Sequence, residues 1–311
     1  MCIPSLLLFM FMYMVSFMLI LSVDDWILIW LGLELNMLSY VILIYKRYDM
    51  GTLESCLKYF VIQSVGSALF LSSFYLINMS TMMIVVLSYK VGAGPFYYWF
   101  PSLCSGLEWM SCYVLMTFQK VLPMFLMSGF VFWLLWFVVL ISLIMGAFGS
   151  FNQGNIKQLF AYSSIHHLGW MMSCMFKHDL FWLWYLFIYS VVLIGLMMYF
   201  MMYNVTDVFL LSKWKDKLIF VMGMMSMAGL PPLLGFYLKW VAFIYILDIN
   251  YVFVMFLVMM SVLMLYVYMR IVYDMLLYKS SYMTWFNLGK LDYLNIMGFI
   301  LGLIMSLSLL M

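Results

Sequence analysis

From Val121 to Ile156 the chain carries no Asp, Glu, Lys or Arg. Such a run is longer than the roughly 20 apolar residues an α-helix needs to cross a bilayer. Further charge-free runs cover 1–23, 59–89, 180–206, 249–269 and 293–311, and a seventh, 218–238, ends at Lys239. Of 311 residues, 68% are hydrophobic and 8% charged. Soluble domains run about 45–50% apolar and about 25% charged. The composition excludes a soluble enzyme and a disordered chain. A net charge of +2 offers no basic patch for phosphate, so no nucleic-acid partner is expected. The expected fold is all-α: a polytopic membrane helix bundle, one membrane domain over 1–311, with almost no mass outside the bilayer.

Turn signals divide these runs into about eleven spans. They fall near 4–22, 26–45, 55–77, 80–104, 108–127, 130–149, 155–176, 180–203, 217–247, 250–275 and 291–311. Those at 80–104 and 217–247 are interrupted. With the N-terminus inside, the inside loops hold Lys46, Arg47, Lys157, Lys213, Lys215, Lys217, Lys279 and Lys290, with Arg270 near an inside end. Outside lie Asp24, Asp25, Asp248 and the trio Lys177, His178 and Asp179. This basic asymmetry predicts an inside N-terminus and an outside C-terminus.

The residues whose codons lean on cytosine are scarce: Pro, Thr, Ala, His, Gln and Arg together number 26, against 36 Met and 12 Trp. That bias fits a cytosine-poor gene read with AUA as Met and UGA as Trp, as in many animal mitochondria. A bacterial inner-membrane protein of unusual base content is the other source of such a bias. The N-terminus shows neither the charged region and cleavage site of a signal peptide nor an Arg-rich transit segment, so the first span is expected to be retained. Cys2, Cys56, Cys104, Cys112 and Cys174 form no C-x-x-C pair, and neither a zinc site nor a disulfide framework is expected.

Four charges stand where the bilayer should exclude them: Glu34, Lys90, Lys120 and Lys239. Each costs about 2.5–3.5 kcal/mol at mid-depth on insertion scales and is expected to face a bundle interior or hydrated cavity. Snorkelling near a helix end, or an ion pair that only fixes packing, is the plainer explanation. The local sequence favours the functional one. Lys90 precedes Val91-Gly92-Ala93-Gly94-Pro95, and Lys239 follows Gly229-Leu230-Pro231-Pro232-Leu233-Leu234-Gly235. Proline withholds a backbone donor and glycine adds freedom. Broken backbone at membrane depth is tolerated where it is buried in protein or lines a wet cavity. Two such breaks in separate halves point to inverted-repeat transporters with midplane ion sites, although plain proline kinks are common in membrane helices. Lysines and a carboxylate suit proton handling, because an ammonium's hold on its proton changes with desolvation and neighbouring charge. His166 and His167 project about 100° apart on a helix and cannot share one haem. No Gly-rich phosphate loop is present. Glu54 and Lys58 stand at i,i+4 spacing and can pair. The Lys213–Lys217 cluster reads as a positive-inside anchor.

Several segments resemble a known family. Trp30-Leu31-Gly32-Leu33-Glu34-Leu35-Asn36-Met37-Leu38, Lys58-Tyr59-Phe60 with Gln63, Lys90 to Phe96, and Trp99 with Pro101 are similar to motifs of the subunit 2 family of mitochondrial NADH–ubiquinone oxidoreductase, respiratory complex I. So are Phe118-Gln119-Lys120-Val121-Leu122-Pro123, Ala161 to Ile165 with His167 to Met171, and Gly229 to Pro232 with Gly235-Phe236 and Lys239-Trp240. These matches run in order from about 30 to 240; residues 1–25 and 245–311 agree in hydropathy only.

The resemblance implies an antiporter-like, proton-pumping subunit of the mitochondrial inner membrane. Its animal members have about eleven helices, three fewer than the bacterial fourteen. It implies that Glu34, Lys90, Lys120 and Lys239 form the proton pathway, with Glu34 paired to Lys90 and Lys120 relaying to Lys239 through ordered water. His167 is a further relay candidate. It implies a hetero-oligomer with other membrane-arm subunits, contact with lipids such as cardiolipin, and no cofactor in this chain, because NADH, FMN, iron–sulfur clusters and ubiquinone belong to other subunits. The sequence departs from the family at Ser102, where Glu is common; at Glu108, where Pro is usual; at the short connection near 78–80; and at His166, which places a histidine pair beside the relay. Two rivals remain at this point. A subunit of a multi-subunit cation/proton antiporter shares the motifs but is usually longer. A structural scaffold would leave no water along the Glu34–Lys239 axis.

Overall fold

The computed structural model describes residues 3–75, 79–130, 133–151, 153–177, 180–203, 207, 217–231, 233–247 and 251–277. The expected span at 291–311, Lys213, Lys215, Lys279 and Lys290 lie outside the described residues. Thirteen α-helices are found among those described, and no strand beyond an isolated bridge between Asn155 and Asp207. The chain forms two compact units, Met1–Ser142 and Leu143–Met311.

In the first unit α1 (Ile3–Ser22), α2 (Trp26–Ile44) and α3 (Met50–Ser73) pack in sequence order. Asp24 and Asp25 stop the first apolar run. Asp49 caps α3, its carboxylate accepting from Gly51 N at 3.2 Å. Then α4 (Met79–Val91) stops, a 3₁₀ turn covers Gly94–Phe96, and α5 (Trp99–Gly106) follows. The stop is a Schellman motif. Gly92 takes φ 75°, open to glycine at little cost. Ala93 N bonds Ser88 O at 2.9 Å and Gly92 N bonds Tyr89 O at 3.3 Å.

The expected single span at 108–127 is two short helices, α6 (Trp109–Met116) and α7 (Phe118–Ser128). They meet at Thr117, with φ −119° and ψ −79°. The Thr117 hydroxyl donates to Tyr113 O at 2.7 Å, a back-bond that bends helices. Pro123, inside α7, withholds the N–H that would reach Gln119 O. The unit boundary falls within α8 (Trp133–Gly149).

The second unit centres on α9 (Ile156–Cys174), buried on nearly every side. Asn155 caps it, accepting from Lys157 N at 2.9 Å. Gly146 permits close approach: a Cβ there would lie 2.6 Å from His166 N. Around α9 stand α10 (Phe181–Tyr203) and α12 (Leu234–Leu247), with α11 (Lys217–Ala228) and α13 (Tyr251–Leu277) packed beyond. Between α11 and α12 lies a second Schellman stop. Gly229 takes φ 81°, Leu230 N bonds Met225 O at 3.2 Å, and Gly229 N bonds Ser226 O at 3.1 Å.

Buried serines such as Ser142, Ser163 and Ser164 return their hydroxyls to the carbonyl three residues back, so these donors are satisfied within an apolar medium. Outward faces are apolar. On α13, Met255, Met259, Val262 and Tyr266 form an exposed stripe at helical spacing. Among the described residues, five helical stretches are long and apolar enough to cross a membrane: Trp26–Ile44, Met50–Ser73, the α6–α7 stretch Trp109–Ser128, Phe181–Met202 and Tyr251–Tyr273. Lipid replaces water against such faces without penalty.

Candidate functional site

In the first unit Lys90 and Lys120 are both buried, at 5% and 1% exposure. Lys90 lies in the last turn of α4, where the ladder runs out of donors. The Schellman bonds satisfy two of the orphaned carbonyls. Gln63 of α3 satisfies another, donating from Nε2 to Lys90 O at 2.9 Å. Gly66 makes room for the side chain: a Cβ there would lie 2.9 Å from Lys90 Cγ. Lys120 follows the bend at Thr117, which aims its ammonium at the ring of Phe100, 4.9 Å from the centroid. Both lysines line one cavity of about 20 Å³, with Asn36, Tyr59, Gln63 and Gln119 as its polar walls. A single water needs roughly 10–15 Å³ and two to four polar partners, so this space suits one.

Glu34 is half-buried on α2. Its charge acts on Lys90, but it is not a lining residue of the cavity. The direct ion pair expected between them is not formed. Among the described residues the ion pairs within 4.0 Å are Lys46–Glu108 and Lys58–Glu54. Both are exposed. The second, at 2.5 Å, is the i,i+4 pair expected on α3. The first gives Glu108 its place, tying the α5–α6 turn to the α2–α3 loop. Ser102 is exposed and bonds back to Trp99 O at 2.8 Å.

In the second unit Lys239 is buried on α12. Its Nζ donates to Ala228 O at 2.7 Å, across the break. Ala228 ends α11, so the ammonium completes an orphaned carbonyl at the negative end of that half-helix. The lysine beyond the break therefore serves the carbonyl before it.

The two histidines diverge. Trp170 Nε1, which can only donate, bonds His166 Nε2 at 3.1 Å. Nε2 is therefore the acceptor and the ring proton lies on Nδ1, 3.5 Å from Leu143 O. His166 is thus held as one neutral tautomer, and its electrostatic neighbour is Lys239. His167 turns to α10. Its Nδ1 is 2.9 Å from the Tyr185 hydroxyl, and its ring lies 4.8 Å from that of Tyr189.

Sequence reasoning names the lysines but not their supports. The pairing of Trp170 with His166 is an i,i+4 relation readable in advance. That of Asn36 with Gln119 spans 83 positions, and no local signal reports it.

Comparisons with known proteins agree with this architecture. The family described as NADH:quinone oxidoreductase/Mrp antiporter, TM, matches residues 23–82 and 78–264. NADH-ubiquinone oxidoreductase chain 2 of Locusta migratoria is 35% identical over 261 residues, covering 78% of this chain and 76% of that one. Its Anopheles gambiae counterpart is 32% identical over 267 residues, covering 79% and 78%. A chain of respiratory complex I from Thermus thermophilus shares the fold, with a TM-score of 0.80 at 22% identity, over 98% of this chain and 79% of that one. On this footing the chain belongs to the NADH:quinone oxidoreductase/Mrp antiporter membrane family, and its sequence relatives are its chain 2 members.

Proposed function

We propose that this chain is a proton-translocating membrane-arm subunit of respiratory complex I, coupling electron transfer from NADH to ubiquinone to proton movement across the mitochondrial inner membrane. One observation carries the reading: two buried lysines share a polar, water-sized cavity beside a glycine-terminated half-helix. A membrane fold has no packing reason to bury two cations around a void. The family relation then favours complex I over a free-standing antiporter, because the sequence relatives are chain 2 proteins along three quarters of their length.

In this reading Glu34, Lys90, Lys120 and Lys239 carry the proton, and His167, hydrogen-bonded to Tyr185, is an accessory relay. His166 is excluded from that role, since Trp170 occupies its basic nitrogen. The half-helices α4 and α5, and α11 and α12, each form one interrupted span, and α6 with α7 forms one bent span. That makes ten spans among the described residues. The N-terminus faces the matrix and the C-terminus the intermembrane space. Electron-carrying groups reside in other subunits, and this chain contributes no redox chemistry. Its partners are the neighbouring membrane-arm subunits and lipids such as cardiolipin.

Tagging the chain and purifying it from inner membrane in mild detergent tests the assignment. Recovery in a large particle that oxidises NADH and reduces ubiquinone is expected. Recovery in a small particle that exchanges cations for protons without NADH oxidation would transfer it to the antiporter class.

A further inference from the structure

Three polar side chains from three helices meet beside Lys120. Asn36 of α2 donates from Nδ2 to Gln119 Oε1 at 3.0 Å. Gln119 Nε2 donates back to Asn36 Oδ1 at 3.4 Å. The Tyr59 hydroxyl of α3 donates to Gln119 Oε1 at 3.2 Å. All three line the cavity shared by Lys90 and Lys120.

The backbone around Gln119 explains why such a cluster is needed. Thr117 bends the chain two residues before it, and Pro123 withholds the N–H that would bond Gln119 O. Lys120 N reaches back only three residues, to Thr117 O at 3.2 Å. The turn that carries Lys120 is therefore weakly held by its own ladder. Rotating an α-helical turn by one residue swings a side chain about 100°, enough to take the ammonium off the cavity. Something beyond the helix must fix that rotation. The reciprocal amide pair does so from α2, two residues past Glu34, and Tyr59 braces it from α3. Tyr59 is fixed in turn by an edge-on ring contact with Tyr40, centroids 5.1 Å apart, and Tyr40 is anchored by donating to Ser111 O at 2.8 Å.

We propose that Asn36, Gln119 and Tyr59 form a positioning clasp that sets the rotation of the Lys120 turn, keeping its ammonium on the cavity it shares with Lys90. The clasp also ties the helix bearing Glu34 to the turn bearing Lys120. This rests on the proton-relay reading above. The three residues act through Lys120 and carry no proton themselves.

The test uses the intact complex in sealed vesicles, with NADH oxidation and proton pumping read together. Four variants are compared: Asn36→Leu, Gln119→Leu, the exchanged pair Asn36→Gln with Gln119→Asn, and Lys120→Ala. Each Leu variant should lower the protons moved per NADH, with pumping falling roughly two- to tenfold, the worth of one or two hydrogen bonds. The exchanged pair keeps both amides and the combined length, and should restore most of the loss. Loss in Lys120→Ala with a wild-type ratio in both Leu variants would overturn the clasp while leaving the relay standing. A wild-type ratio in Lys120→Ala would overturn the relay itself, and the clasp with it. Should the Leu variants fail to assemble, Tyr59→Phe decides, since it removes one hydroxyl. A lowered ratio in normally assembled complex supports the clasp, and a wild-type ratio overturns it.

Discussion

Gly229 and the side chain of Lys239 compete for one space: a Cβ on Gly229 would lie 2.9 Å from Lys239 Cδ and 3.1 Å from its Nζ. The residue that ends α11 by its left-handed backbone also clears the path by which the lysine reaches Ala228 O. Helix break and lysine position are thus one device. Gly229→Ala should therefore act twice. The backbone strain costs about 1–2 kcal/mol, and the methyl displaces the ammonium. Reduced thermal stability together with reduced proton pumping is expected. A variant that loses stability but keeps its protons per NADH would separate the two effects and refute the link.

Gln63 offers a cleaner probe of the first break. Gln63→Leu leaves the buried carbonyl of Lys90 without its side-chain donor, at a cost of about 1–3 kcal/mol. Thermal unfolding of the assembled complex should show the loss, and faster hydrogen exchange should appear across 88–96. Unchanged exchange there would mean that the Schellman bonds alone secure the end of α4.

The histidine pair separates by tautomer. Trp170→Phe removes the donor to His166 Nε2 and should destabilise the second unit by about 1–3 kcal/mol. Because His166 is a fixed neutral group in this account, the protons moved per NADH should not change. Tyr185→Phe, which strips the hydroxyl from His167, should lower them. The reverse pattern would exchange the roles of the two histidines.

Tyr48 and Tyr75 flank α3, exposed at 93% and 91%. Tyr48→Cys should react with an impermeant thiol reagent from the matrix side only, and Tyr75→Cys from the intermembrane side only. Labelling of both from one face would invalidate the orientation drawn from the basic loops.

Much of the fold is legible in the sequence because the bilayer enforces it. Long apolar runs favour helices that cross, so α1, α2, α8, α9, α10 and α13 fall close to the expected spans, whereas α3 begins five residues early, at Met50, and takes in Glu54 and Lys58. Gly92 and Gly229 declare their breaks, since both lie in Gly/Pro clusters beside lysines. The bend at Thr117 carries no such mark. It arises when a threonine hydroxyl bonds its own helix and Pro123 withdraws a donor six residues later, each unremarkable alone. The site divides in the same way. A charge stands out in an apolar sequence, so Glu34, Lys90, Lys120 and Lys239 can be named as candidates, and the structure buries the three lysines and half-buries the glutamate. Their relations cannot be named in this way, because distance in space is not written along the chain. Glu34 acts on Lys90 from beyond ion-pair contact, and Gln63, Asn36 and Gln119 gain meaning only when α2, α3, α4 and α7 are packed together.

Replacing Lys120 tests the central claim most directly. Lys120→Ala removes a buried cation and leaves a neutral residue, which costs less to bury, so the complex should assemble. In sealed vesicles, proton transfer through this subunit should fall by about a hundredfold or more, the scale of losing a positioned proton-transfer group. NADH oxidation should fall only as far as coupling is tight. Lys120→Arg should not restore pumping, because a guanidinium does not release its proton near neutral pH. Wild-type pumping by a fully assembled Lys120→Ala complex would contradict the account and leave Lys120 a structural residue.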